Sequence, residues 1–252
     1  MYNIPEGTLF AGKKVISVPE CHSTNDFAAQ IVQHSSAGEG TLVITNKQTA
    51  GKGQRGAEWL SEPGQNLTFS LVLIPSFLDP KDQFFLTMCI ALGVYDLVRR
   101  EVASEAYIKW PNDIMVCGKK ICGILIENQL RGSRFVSSIA GIGLNVNQQT
   151  FPFPTATSLS LIKQQSYGLE DVLHDLLACV ERRYLQLRQG DREGLKSDYM
   201  AVLYWKGEPH TFLAGETRFR GIIRGLDASG RLHIDEEGRD RFFAVKEVEY
   251  IN

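Results

Sequence analysis

The chain has 252 residues in ordinary globular proportions, 43% hydrophobic and 22% charged. That balance excludes a disordered chain and leaves room for one large domain, or one large and one small. A formal net charge of -2 and a pI of about 6.2 carry no basic excess of the kind that marks a nucleic-acid binder.

The N-terminal sequence MYNIPEGTLFAGKKVIS lacks the charged-then-apolar pattern of a secretion signal. In chain order, STNDFAAQIVQHS predicts a helix, with Ser23, Thr24 or Asn25 as cap and Phe27, Ile31 and Val32 as its apolar stripe. Thr41 to Thr45 reads as a strand, and so does Asn66 to Ile74 after the turn-like EPGQ. Pro80 to Glu101 is long, apolar and helical, with Pro80 at a first helical position. Three strands follow: IKWPNDIMV interrupted by Pro111, then KKICGILIENQL, then VSSIAGIGLNV. Their nearly continuous apolar character predicts a sheet covered on both faces. Leu169 to Gln189 carries the clearest helical periodicity, stopped by Gly190. Beyond about Tyr204, short strands alternate with glycine turns, and LDASGRLHI and IDEEGRDRFF look like hairpins of a small appended barrel.

No apolar run is long enough to span a bilayer. The five cysteines form no CxxC, and no His or third Cys stands near Cys117 and Cys122. Reduced, mostly buried thiols in a cytoplasmic protein are the expectation, with no metal assigned.

Chemistry concentrates in four stretches. GKGQRG, Gly51 to Gly56, has the spacing GxGxxG, but Pro63 and Gly64 rule out the helix that a dinucleotide fingerprint requires directly after it. The nucleoside-triphosphate P-loop fails as well, since Gly53 follows Gly51-Lys52 where Ser or Thr is needed. What remains is a long donor-rich loop whose cations suit an anion. STND, Ser23 to Asp26, is more polar than a helix cap alone explains. KWPND, Lys109 to Asp113, packs a cation, an indole, an amide and a carboxylate into five residues, and KKICGILIE places lysines shortly before Gly123.

In this order and at these intervals, STND, KQTAGKGQRG with Trp59, KWPNDI with KKICGILIE, and GIGLNVN resemble the biotin protein ligases, also called biotin–[acetyl-CoA-carboxylase] ligases. The likeness runs from about Ser23 to Asn147. It implies an α+β fold: a mixed β-sheet catalytic domain flanked by helices, of the class II aminoacyl-tRNA synthetase/biotin ligase-like kind, over residues 1–203, and a small C-terminal SH3-like β-barrel over 204–252. It implies ATP and Mg²⁺, biotin as substrate, and a biotin carboxyl carrier protein as partner. Biotin is first joined to AMP, and a carrier lysine then attacks the adenylate.

By the same resemblance, Lys120 and Asp113 are the expected catalytic residues, Lys120 being preferred to Lys119 because it stands three before Gly123. Ser23, Thr24, Asn25, Gln48, Lys52, Gly53, Gln54, Lys120 and Gly123 are expected at biotin. Gly51, Lys52, Gln54, Arg55, Gly56, Trp59, Asn112, Lys120 and Asn145 are expected at the adenylate and phosphates. With 22 residues before Ser23 there is no room for the DNA-binding domain of many relatives, so no nucleic-acid partner is expected. Relatives often pair through sheet edges, which allows a homodimer. The alternatives are a lipoate- or octanoate-type ligase and a non-catalytic biotin-binding module.

The family loop most often has arginine where this chain has Lys52, Gln54 and Ala57. Arginine grips phosphate with two parallel bonds, lysine is a point charge and glutamine is neutral. A lost hydrogen bond to a charged group corresponds to roughly a tenfold change in binding. Replacing Gln54 by arginine is therefore expected to slow dissociation of biotinyl-adenylate, as measured by a chase with unlabelled ligand; an unchanged or faster rate refutes the reading.

Overall fold

The computed structural model describes residues 2–34, 36–102 and 105–251, with Arg55 described in its backbone alone. Seven strands form one mixed sheet: β1 (Lys14–Cys21), β2 (Thr41–Gln48), β3 (Leu67–Leu73), β4 (Ala106–Lys109), β5 (Asp113–Val116), β6 (Lys119–Arg131) and β7 (Arg134–Leu144), in the order β1-β2-β3-β7-β6-β5-β4. β1 and β2 are parallel and every other pair is antiparallel. A parallel pair needs a crossover, and α1 (Thr24–Gln33) supplies it.

Helices cover both faces, as the sequence predicted. α2 (Phe84–Val102) and α4 (Leu169–Arg188) pack over one face, against Leu42 and Ile44 of β2, Phe69, Leu71 and Leu73 of β3, and Ile142 and Leu144 of β7. α1 covers part of the other face, where Ala28 packs with Val43, Val72 and Ile139. The period of two along each strand divides the residues between these faces. It also sends Thr68, Ser70, Gly141 and Gly143 to the same side as α1.

Most predicted elements fall where expected, with small shifts at their ends, but IKWPNDIMV, expected as one interrupted strand, is the two strands β4 and β5 paired antiparallel. Pro80–Asp82 is a separate 3-10 turn, capped where Asp79 accepts a hydrogen bond from the Lys81 amide at 3.0 Å, so α2 starts later than its sequence pattern. Three elements went unread. β1 is an edge strand with no buried residue, α3 (Leu159–Lys163) is five residues long, and α5 (Arg192–Ala201) buries Leu195 and Tyr199 alone. Too few buried positions leave no periodic signal.

The C-terminal strands β8 (Pro209–Ala214), β9 (Thr217–Leu226), β10 (Leu232–Glu236), β11 (Arg239–Phe243) and β12 (Glu249–Ile251) include both predicted hairpins, but the expected barrel is not closed. They form an antiparallel sheet in the order β11-β10-β9-β8-β12, and the two edge strands do not pair with each other. β12 has three residues, all spent on pairing with β8, and the segment before it turns toward the large sheet.

The KWPND hairpin holds this sheet in place. Trp110 Nε1 donates to the Gly230 carbonyl at 2.9 Å, the Tyr199 hydroxyl donates to the Pro111 carbonyl at 3.1 Å, and the Lys109 ammonium lies 4.7 Å from the centre of the Tyr250 ring. The Trp110–Pro111 peptide is cis. No helix among the described residues is long and apolar enough to cross a membrane.

The α2–α4 contact is close because of Gly93, where an added Cβ would stand 2.6 Å from Val180 Cα. Alanine gains about 0.8–1 kcal/mol of helix propensity over glycine, but overpacking costs about 1–3 kcal/mol and here the obstacle is backbone. Gly93→Ala is expected to destabilise the fold by about 1–2 kcal/mol in urea unfolding.

Candidate active site

A row of paired residues crosses four strands of the sheet. Asp113 of β5 is opposite Gly123 of β6, Gly123 is opposite Gly143 of β7, and Gly143 is opposite Thr68 of β3. One step along, Gly141 pairs with Ser70 on one side and Leu125 on the other. Without side chains at Gly123, Gly141 and Gly143 the sheet has a bare shelf, and other groups rest on it. The Trp59 indole lies on Gly143 and Gly123: a Cβ on Gly143 would come within 2.3 Å of the indole, and one on Gly123 within 3.1 Å. Asn25 lies on Gly141, its Oδ1 2.4 Å from where a Cβ would be.

The shelf floors a cavity of about 230 Å³ lined by parts of α1, β2, the Gly51–Trp59 loop, β3, β5, β6 and β7, and by Lys246 from the C-terminal sheet. Among the expected residues, Ser23, Thr24, Asn25, Gln48, Lys52, Gly53, Gln54, Trp59, Asn112, Asp113, Lys120 and Gly123 all line it. Gly51, Gly56 and Asn145 are not on its wall, and the side chain of Arg55 lies outside the described residues. Asn145 is buried behind the sheet, where its Nδ2 donates to the Thr157 carbonyl at 2.9 Å.

On the α1 side the wall is lined by uncharged hydroxyls and amides, held by hydrogen bonds that end on the Glu127 carboxylate. Ser23 is the N-cap residue of α1, yet its side chain makes no capping bond. Gln48 takes that place: its Oε1 accepts from the Thr24 amide at 2.8 Å. The reading of STND as a simple cap therefore does not describe Ser23, whose side chain is turned over to the cavity. Ser70 Oγ stands 2.7 Å from Thr24 Oγ1 and 2.6 Å from Asn25 Oδ1, and Asn25 Nδ2 donates to Glu127 Oε2 at 2.7 Å. Thr24, Asn25 and Ser70 are buried, so each of their bonds omitted would cost about 1–3 kcal/mol, and the network fixes the polar wall in advance.

On the β5–β6 side the wall is charged. Lys120 and Gly123 are three apart, a spacing that puts them on opposite faces of a regular strand. The register shift between Ile114 and Met115 absorbs one residue of β6 and returns Lys120 to the face of Gly123. Its ammonium meets Asp113 Oδ1 at 2.8 Å and lies 5.6 Å from the centre of the Trp59 ring. Asn112 clamps the corner, exchanging hydrogen bonds with Ile124 through its side chain, Nδ2 to the carbonyl at 2.5 Å, and its own carbonyl at 3.1 Å. Lys109 is opposite Asp113 in the β4–β5 pair. Burial holds its ammonium below the usual lysine range, against the attraction of Asp113.

The glycine loop is a short hairpin closed by the Trp59 amide on the Gly51 carbonyl at 2.9 Å and the Gly53 amide on the Ala57 carbonyl at 2.6 Å. Lys52 reaches back to Asp26 Oδ1 at 2.6 Å, a hydrogen bond that raises its pKa. Sequence reasoning missed Thr68, Ser70, Glu127, Gly141, Gly143 and Lys246. GIGLNVN did hold the signal for the two glycines, since residues two apart on a strand share a face. Nothing local connects Lys246 with the site.

Fold and cavity together offer uncharged donors and acceptors on one wall and lysines on the other, chemistry that suits a small molecule with a polar head and an anionic group. Residues 18–147 match the model of the biotin/lipoate A/B protein ligase family, and the chain belongs to that family. Among known relatives, the bifunctional ligase/repressor BirA of Bacillus subtilis is 39% identical over 223 residues, 86% of this chain and 65% of that protein. The chain thus spans just under two thirds of that relative. The biotin–[acetyl-CoA-carboxylase] ligase of Paracoccus denitrificans is 31% identical over 198 residues, 75% of this chain and 82% of that one. A biotin protein ligase from Aquifex aeolicus, solved in complex with biotin and ATP, superposes with a TM-score of 0.79 at 26% identity, covering 95% of this chain and 100% of that one.

The shelf makes a direct prediction. Gly143→Ala forces the Trp59 indole off the sheet, and a shift in tryptophan fluorescence is expected that disappears in a Trp59→Phe background.

Proposed function

We propose that the protein is an ATP-dependent ligase that activates biotin as biotinyl-5'-adenylate and transfers it to the ε-amine of a lysine on a biotin carboxyl carrier protein. The observation that carries this reading is the meeting, in one cavity, of a rigid uncharged hydrogen-bonding wall with the Lys120–Asp113 pair beside a glycine floor. The ureido ring of biotin needs fixed donors and acceptors, which Ser23, Thr24, Asn25 and Gln48 offer, and its apolar body needs apolar surface such as Trp59 and Leu125.

In the first step a biotin carboxylate oxygen bonds to the α-phosphorus of ATP and the bond to pyrophosphate breaks. Mg²⁺ enters and leaves with the phosphates as part of the substrate. Two anions must be brought together, which requires a cation set in place beforehand. Lys120 is that cation. Its ammonium exchanges Asp113 for the ligand, and this exchange uncovers the carboxylate. In the second step the carrier lysine attacks the carbonyl carbon, the C–O bond to AMP breaks, and Asp113 orients the amine or accepts its proton.

We read residues 1–203 as the catalytic domain and 204–252 as the SH3-like domain. The stacking of Phe219 on Phe212 and Phe243 supports a curled sheet, as does the change of character near Tyr204. A lipoate- or octanoate-type activity is the second reading, favoured by the breadth of the family itself.

Labelled biotin, lipoate and octanoate offered in parallel with ATP and a carrier protein decide among these, and biotin is the acid expected on the carrier. Lys120→Ala is expected to slow pyrophosphate release by about 10²–10³-fold. Asp113→Asn is expected to slow transfer from preformed biotinyl-adenylate by about 10²-fold or more; a normal transfer rate removes Asp113 from the mechanism.

A further inference from the structure

We propose that Glu127, acting through Asn25, sets the direction in which the hydrogen bonds of the α1-side wall run, and so selects a ligand ring that carries an N–H beside a carbonyl. The inference rests on the ligase reading above and deepens it. Glu127 is a positioning residue: Asn25 is on the cavity wall and Glu127 stands behind it.

The first observation is that the carboxylate fixes one amide. Glu127 is on β6, two residues beyond Leu125 and therefore on the same face of the strand. A carboxylate accepts hydrogen bonds and donates none. Asn25 accordingly turns its Nδ2 to β6, with 2.7 Å to Glu127 Oε2 and 3.3 Å to the Leu125 carbonyl. Both Nδ2 protons are spent there. Its Oδ1 is left over the Gly141 floor and can only accept.

The second is that the direction propagates. Ser70 Oγ has one proton and stands 2.6 Å from Asn25 Oδ1 and 2.7 Å from Thr24 Oγ1. The Asn25 oxygen has no proton to give, so Ser70 donates to it and keeps only lone pairs for Thr24. The Thr24 hydroxyl then donates inward, to Ser70 or to Gln48 Oε1 at 3.2 Å. What it has for a ligand is a lone pair. At the other end the Thr24 backbone amide, a pure donor, takes Gln48 Oε1 at 2.8 Å and leaves Nε2 as the donor of that side chain. The wall thus has an acceptor at Thr24 and a donor at Gln48, the complement of a ureido N–H and its carbonyl.

The third is burial. Thr24, Asn25 and Ser70 are buried, so solvent does not relieve a mismatch among them. With no acceptor at residue 127 the Asn25 amide can turn over. Nδ2 then donates to Ser70, Ser70 to Thr24, and Thr24 to the ligand. A wall reversed in this way presents donors at both Thr24 and Gln48 and no longer demands an N–H. The dithiolane ring of lipoate has neither an N–H nor a carbonyl, so the direction set by Glu127 also favours biotin over the second reading.

The test uses the full chain and a single burst of pyrophosphate release at saturating Mg²⁺–ATP, with the acid varied. The acids are biotin and its two carbamate analogues, in each of which a ring oxygen replaces one ureido N–H. Glu127→Met keeps the length of the side chain and removes the acceptor. It is expected to raise the half-saturating biotin concentration about tenfold, and to cut the preference for biotin over the more strongly rejected analogue by a similar factor. Glu127→Gln, whose amide oxygen still accepts from Asn25, is expected to lie nearer the wild type on both counts. The half-saturating ATP concentration and the burst rate at saturation should not move in either. A merely structural role weakens all three acids alike and leaves their ratios in place. An unchanged biotin dependence in Glu127→Met overturns the proposal, and so does an equal loss for biotin and both analogues. A wild-type chain that releases no pyrophosphate from ATP and biotin overturns the ligase reading itself, an outcome distinct from a working enzyme indifferent to residue 127.

Discussion

The site depends on the absence of three side chains. Gly123, Gly141 and Gly143 face the same side of adjacent strands, and each is in contact with a group from outside the sheet. An indole and an amide can approach a pleated sheet this closely only where no Cβ stands up from it. Trp59 then closes one side of the cavity and Asn25 brings the start of α1 down onto the other. The polar network through Thr24, Ser70, Gln48 and Glu127 follows from that approach, since the helix would otherwise sit too high for Ser70 to reach it.

Two ion pairs of unequal strength stand around this floor. Lys52–Asp26 is well exposed, at 46% and 42% for the two side chains, and such pairs contribute about 0–1 kcal/mol. The glycine loop is therefore tied to α1 lightly, and its short hairpin opens at little cost. Lys120–Asp113 is more enclosed, at 36% and 25%, and its lysine is aimed by a bulge in the strand. The arrangement suits a site whose loop must admit a ligand while its reacting centre stays in place.

The KWPND hairpin joins the two parts of the molecule. Lys109 and Trp110 are spent on the C-terminal sheet, Pro111 on the Tyr199 hydroxyl, and Asn112 and Asp113 on the cavity. A short polar segment with so many residue types is thus explained by contacts on two sides. The C-terminal sheet is an open five-stranded one in place of the expected closed barrel, and the turn that leads away from closure is the one that carries Lys246.

Local chemistry made much of this legible in advance. The periodicity of α4, the apolar runs of β3, β6 and β7, and the turn signals of the two C-terminal hairpins are short-range patterns that survive in a one-dimensional reading. The resemblance to the biotin protein ligases, carried by STND, the glycine loop, KWPND and KKICGILIE, named Ser23, Thr24, Asn25, Gln48, Asp113 and Lys120 among the residues of the cavity wall. What the sequence determined by itself was the longer, more periodic elements and the presence of polar and cationic residue types suited to an anion; β1, α3 and α5 left no readable pattern. Tertiary structure decided the rest, because pairing across strands has no local trace: the glycine row facing Trp59, the use of Gln48 in place of Ser23 to cap α1, the burial of Asn145 away from the cavity, and the arrival of Lys246 from a sheet more than a hundred residues downstream of the first motifs. Each depends on which strands lie side by side, and that is settled by burial of the whole core and not by any one segment.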